Sequence, residues 1–215
     1  MSKRHSALPH KVLLVALGGA LFMLSGCSGG ADERPREDYL TSHEVCGGLS
    51  DSAAKTLRAV AGTDSFSGEP RRDSSTLPSD IAKEVKESNG EKEHVLCSIE
   101  PEKVKNRQRI GLYARVLNEL PDAPDKRLRG NVSFKVGLRG EASSLGAQLY
   151  FVCAREGVDP GRAPVIKTEF RYAPASRGEV SYQGNMQLLN EVSYRLAKQL
   201  SCQQSSDLNM KPVTE

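Results

Sequence analysis

The sequence predicts an α+β fold: an antiparallel sheet of about five strands, with N- and C-terminal helices packed on one face and two disulfides stapling the layers. Three observations carry this reading. Apolar residues follow a helical period near residues 53–61 and 186–200 and an alternating one between residues 94 and 172. The strands follow one another with short connections, which favours antiparallel pairing over parallel crossovers. Four cysteines, Cys46, Cys97, Cys153 and Cys202, lie beside these helices and strands at spacings of 51 and 49 residues.

The first helix starts after Ser50 or Asp51, either of which can cap it. Ala53, Leu57, Val60 and Ala61 form its apolar stripe, and Gly62 supplies a left-handed stop. Thr63 to Pro78 is rich in Ser, Asp, Arg, Gly and Pro and reads as a surface loop. A short second helix is expected from Ser79 to about Ser88, with Ile81 and Val85 facing inward and Asn89-Gly90 ending it.

The period then changes. Residues 94–99 form a strand closed by Pro101, and Ile110, Leu112, Ala114 and Val116 alternate with more polar neighbours to give a second. Val132, Phe134 and Val136 mark a third, Ala147 to Cys153 a fourth, and Ile166 to Tyr172 a fifth. The last helix carries Met186, Leu189, Val192, Leu196 and Leu200 on one stripe. Residues 205–215 read as a flexible tail, which sets the globular domain at residues 45–204.

An even cysteine count suits an oxidising compartment, and three pairings are possible. Cys46–Cys97 with Cys153–Cys202 is favoured, because the two spacings are nearly equal and each pair joins a helix to a strand. Each bridge would contribute about 3–4 kcal/mol by restricting the unfolded chain. A metal site finds no support, since no Cys-x-x-Cys or Cys-x-His spacing occurs.

The N-terminus gives the most specific signal. Lys3, Arg4 and Lys11 precede an apolar run of 13 residues, Val12 to Leu24, and then Ser25-Gly26-Cys27. A membrane-spanning helix needs about 20 residues, so the run fits an export signal instead. Leu24-Ser25-Gly26-Cys27 resembles the lipobox of a bacterial lipoprotein. The resemblance implies that Cys27 is lipidated, that residues 1–26 are removed, and that residues 27–44 are a lipidated tether. With Val45-Cys46-Gly47-Gly48-Leu49, Gly62-Thr63-Asp64 and Phe66, the chain resembles uncharacterised lipoproteins of high-GC Gram-positive bacteria (actinobacteria). That implies a protein lipid-anchored at the extracytoplasmic face of the cell membrane, with no assigned activity or cofactor.

Charge and chemistry narrow the function classes. Taking Lys3, Arg4 and Lys11 from 30 basic residues leaves 27, equal to the 27 acidic ones, so the mature chain has no net side-chain charge. A nucleic-acid partner thereby loses its electrostatic support. Outside the leader the histidines are His43 and His94, and no Gly-x-Ser-x-Gly elbow presents a nucleophile. No catalytic residue, metal ligand or cofactor is therefore assigned. Gly47-Gly48 ahead of a helix suggests a tight turn beside Cys46 more than a phosphate cradle, which would want a P-loop lysine. Lys103, Lys105, Arg107 and Arg109 read as a solvated face with a possible second role at anionic lipid or wall polymer. Tyr113, Tyr150 and Tyr172 read as strand-forming surface or rim residues.

The expectation is a non-catalytic binding module at the cell envelope, using its sheet face or the 63–78 loop. Its partners would be the membrane, through the anchor, and an envelope protein or lipid. The alternatives are an envelope hydrolase using paired carboxylates, which have no local spacing to betray them, and a small lipid or ligand carrier.

Overall fold

A computed structural model describes residues 39–67, 77–87, 92–102, 109–123, 131–154, 157, 159–172 and 181–214. The leader, Cys27, most of the tether, residues 68–76 of the expected loop, and Lys103, Lys105 and Arg107 lie outside the described residues.

Among the described residues the chain forms seven strands rather than about five. They are β1 (Phe66–Ser67), β2 (Glu93–Pro101), β3 (Ile110–Leu117), β4 (Val132–Phe134), β5 (Arg139–Ser143), β6 (Gly146–Val152) and β7 (Val165–Arg171). They form one antiparallel sheet in the order β1-β2-β3-β7-β6-β5-β4. The additions are β1 and β5. Two residues are too few to show a period. In β5 the inward positions are Gly140 and Ala142, because Met186 and Val136 crowd the backbone there: a Cβ on Gly140 would lie 2.6 Å from Val136 Cγ1. A strand whose core face is glycine and alanine gives no apolar alternation to read.

Three helices are described: α1 (Asp51–Ala61), α2 (Leu77–Glu87) and α3 (Tyr182–Gln199). Ser50 caps α1, accepting from the Ala53 amide, and Gly62 closes it at φ +70°. Helix α3 lies against β5, β6 and β7, α1 packs on α3, and α2 lies over β2 and β3. One apolar core joins Leu57 and Val60 of α1, Ile81 and Val85 of α2, Leu189 and Leu196 of α3, and the inward side chains Leu112, Leu149, Ile166 and Phe170. Burying side chains of this size contributes about 1.5–3 kcal/mol each.

Both disulfides form in the favoured pairing. Cys46, in a 3-10 turn just before α1, is bonded to Cys97 of β2, with Cα atoms 5.3 Å apart. Cys153, just past β6, is bonded to Cys202, just past α3, at 4.9 Å. Each bridge ties a helix end to the sheet.

The chain ends correct the expected boundaries. The domain begins before Val45: Leu40 and Phe66 exchange backbone hydrogen bonds of 3.0 and 2.9 Å, and Ser42 is fully buried. The expected tail is also part of the fold. Leu208 and Val213 are buried, the Lys135 amide donates to Thr214 O at 3.0 Å, and Gln183 Nε2 donates to Val213 O at 3.0 Å. Two well-spaced apolar anchors dock this segment, a pattern with no helical or strand period. Leu40 thus lies along one edge of the sheet, at β1, and Thr214 beside the other, just past β4, where open strands would otherwise invite association.

Candidate functional site

On a strand, alternate side chains point to opposite faces. Thr168 of β7 hydrogen-bonds Ser193 of α3 at 2.6 Å, which fixes Thr168 and its partners toward the helix. The neighbouring positions therefore face away from α3, and the register aligns them in rows. One row reads Glu93, Arg115, Lys167, Tyr150 and Arg139 across β2, β3, β7, β6 and β5. The next reads Val95, Tyr113, Glu169, Gln148, Glu141 and Ser133. Arg171 follows, flanked by Gly111 and Gly146.

Arg171 organises the first half of this face. Its Nη1 donates to Glu93 Oε1 at 3.0 Å, and its Nη2 donates to Glu93 Oε2 and Glu169 Oε2, both at 2.7 Å. Its Nε approaches Glu169 Oε1 at 2.6 Å as an ion contact without hydrogen-bond alignment. The guanidinium lies 4.5 Å from the centroid of the Tyr113 ring. That ring lies back over Gly111, where any Cβ would come within 2.3 Å of the Tyr113 hydroxyl. A glycine is thus required for the ring to lie down and carry the arginine. Arg115 adds a looser contact to Glu93 at 3.5 Å, and Lys167 sits 3.0 Å from Glu169.

Charge follows from these contacts. The Arg171 hydrogen bond holds the Glu93 carboxyl below the usual carboxylate range, and the Arg171 and Arg115 charges reinforce it against partial burial. Burial pushes Glu169 up, but Arg171 and Lys167 together outweigh it and the net direction is down. The Arg171 guanidinium is raised further, first by its hydrogen bond to Glu169. All three groups are ionised at neutral pH. Between them lies a hollow of about 10 Å³, room for about one water.

The second half is built around Tyr150. Arg139 lies 5.7 Å and Lys167 Nζ 5.9 Å from its ring centroid. The Tyr150 hydroxyl donates to Gln148 Oε1 at 3.0 Å, and both side chains are buried.

The residues singled out from sequence fall in different places. Tyr113 and Tyr150 share the outward face, whereas Tyr172 is turned the other way, taking a hydrogen bond from Asn185 of α3 at 2.9 Å. Burial pushes its hydroxyl up to about 12. His43 Nδ1 lies 3.2 Å from Leu49 O, and His94 is buried on β2 opposite Ala114. Gly47 and Gly48 form a turn with φ of +80° and +88°, as expected beside Cys46. The start of α1 already holds a carboxylate: Glu191 accepts from the Ser50 amide at 2.9 Å and from the Ser50 hydroxyl, and pairs with Arg195. Arg109 pairs with exposed Glu100 at 2.9 Å. Among the described residues, no three His, Cys, Asp or Glu side chains converge to hold a metal ion, and no helix is long and apolar enough to cross a membrane.

No family model, curated protein or solved structure matches this chain. The outward face must be read from its own chemistry. Sequence reasoning did not single out Glu93, Glu169, Arg171, Arg139 or Gln148. Glu169, Arg171 and Gln148 could have been found as polar positions of alternating strands, whereas Arg139, on β5, had no period to mark it.

Proposed function

We propose that the chain is a lipoprotein anchored through Cys27 at the extracytoplasmic face of the cell membrane, and that its folded domain is a non-catalytic binding module of the envelope. The observation that carries the binding role is the outward sheet face. There Tyr113, Arg115, Arg171 and Glu93 are half-exposed yet locked in place by one another. A rigid platform of guanidinium, carboxylate and aromatic groups loses little entropy on meeting a partner, which is what recognition by preorganised side chains requires. The partner in this reading is an envelope protein or lipid. Two disulfides suit the oxidising compartment to which the anchor assigns the domain.

The hydrolase alternative draws less support from the same geometry. A glycosidase pair needs one carboxyl protonated to donate to the leaving group. Glu93 and Glu169 share Arg171, and both are held as anions. A carrier of small ligands would use an enclosed apolar cavity, whereas this hollow is ringed by charged side chains and is about one water in size.

The anchor is tested by mass spectrometry of the N-terminal peptide from membranes of the native host, beside a Cys27→Ala variant. The proposal expects a diacylglyceryl-modified Cys27 as first residue, and loss of membrane association in the variant. An unmodified Cys27 peptide, or membrane association unchanged by Cys27→Ala, would overturn it.

A further inference from the structure

We infer that Arg139 and Gln148 form an oxyanion-binding site on the outward sheet face, taking the carboxylate or phosphate group of a ligand. The inference deepens the binding-module reading and rests on it.

Arg139 differs from the other arginines of this face. Arg115 and Arg171 both reach Glu93, and Arg171 also reaches Glu169. Arg139 makes no ion pair among the described residues. Its contact is the Tyr150 ring, and its Nη1 is buried without a hydrogen-bond acceptor. One step along the neighbouring strand is Gln148. Arg139 stands opposite Tyr150 and Glu141 opposite Gln148, so Arg139 and Gln148 are diagonal neighbours on one face. Diagonal pairs on adjacent strands lie about 7–8 Å apart at the backbone, within reach of one small ligand held by long side chains.

Gln148 is fully buried, and its Nε2 also lacks an acceptor. Its Oε1 is engaged by the Tyr150 hydroxyl, which fixes the carbonyl end of the amide and leaves the N–H end as donor. The two carboxylates beside Gln148 in its row are otherwise engaged. Glu141 accepts from Asn131 Nδ2 at 2.9 Å, and Glu169 is shared by Arg171 and Lys167.

A buried donor left without an acceptor costs about 1–3 kcal/mol, more when it is charged. Two such donors one strand apart, one on a guanidinium, describe a place complementary to an acceptor with more than one oxygen. A guanidinium binds carboxylate and phosphate through its planar fork, and Tyr150 holds that fork from its ring face. Lys167 Nζ, 5.9 Å from the centroid of the same ring, adds positive potential. An ordered water is the competing occupant.

The test is a titration of the full chain, nitrogen-15-labelled and held in a zwitterionic detergent. Sodium phosphate and sodium acetate are added separately at ionic strength fixed with chloride. The signals followed are the Arg139 Nε–H and the Gln148 side-chain amide. Saturable shifts of both signals with a Kd of about 1 mM are expected, weakened about tenfold in Arg139→Gln. Arg139→Lys, which keeps the charge and loses the fork, should also weaken binding and serves if Arg139→Gln does not fold. Arg109→Gln should leave affinity within about twofold, because it removes an equal charge that is paired with Glu100 and takes away no site donor. Tighter phosphate than acetate would mark a phosphate-bearing ligand, and the reverse a carboxylate. Non-saturating shifts, or equal affinity in wild type, Arg139→Gln and Arg139→Lys, would overturn the site and leave water as its occupant. That failure would remain distinct from failure of the module, which is read by partner retention.

Discussion

Replacing Arg171 with Gln should destabilise the domain far more than its surface position suggests. The substitution removes the hydrogen bonds to Glu93 and Glu169 and the cation over Tyr113. The Glu93 side chain is 30% exposed and can turn to water, whereas Glu169 is 6% exposed and loses its guanidinium partner, with Lys167 still 3.0 Å away. Stranding one partner of a fully buried pair costs about 3–5 kcal/mol, and an exposed pair is worth about 0–1 kcal/mol. The mixed burial here, with about 0.5–1 kcal/mol from the aromatic contact, places the cost at about 2–3 kcal/mol. With a urea m-value of about 2 kcal/mol/M, the unfolding midpoint should fall by about 1–1.5 M, read by circular dichroism with the disulfides intact. Arg109→Gln is the control, since Arg109 pairs with Glu100 at side-chain exposures of 66% and 40%, and should cost under about 0.5 kcal/mol.

The pH dependence carries a sign. Folded Glu93 and Glu169 lie below their unfolded range of about 4.3, so their stabilisation is present at neutral pH and is lost as pH falls through the folded values. The gap between wild type and Arg171→Gln should therefore be widest near neutrality and narrow in acid. A cost equal to that of Arg109→Gln, or a gap independent of pH, would refute the reasoning.

Three further outcomes follow from other contacts. Ser50→Ala removes both the α1 cap and a partner of buried Glu191, so it should cost about 1–2 kcal/mol by chemical denaturation. Under limiting reductant, alkylation and peptide mass mapping should find Cys46 and Cys97, both partly exposed, modified before Cys153 and Cys202, which are 1% exposed. Truncation after Gln204 should remove about 3–5 kcal/mol of stability by stripping Leu208 and Val213 from the core, where a frayed tail would cost nothing measurable.

The core was largely legible in the sequence because its elements are amphipathic with clean periods. Ser50 and Gly62 bracket α1, and Ile110 to Val116 alternate as a half-buried strand should. The missing parts lack a period: β1 is two residues, β5 turns Gly140 and Ala142 inward, and the C-terminal segment is held by isolated Leu208 and Val213. The candidate site was legible only as polar strand positions. Glu93 and Arg171 are 78 residues apart and meet because β3 pairs with both β2 and β7, a fact of topology that no local spacing encodes. Arg139 and Gln148 come together beside Tyr150 through the β5–β6 register, which no local spacing encodes.

The most direct test of the binding-module account is a comparison of what remains bound to the native protein after mild detergent extraction from its own membranes. Wild type would be set beside a folded variant carrying Val95→Lys and Arg115→Ala, two of the more exposed positions on the outward face. The account predicts an envelope protein or lipid that is retained by wild type and lost from the variant. An identical set of bound species for the two, or none for wild type, would contradict it.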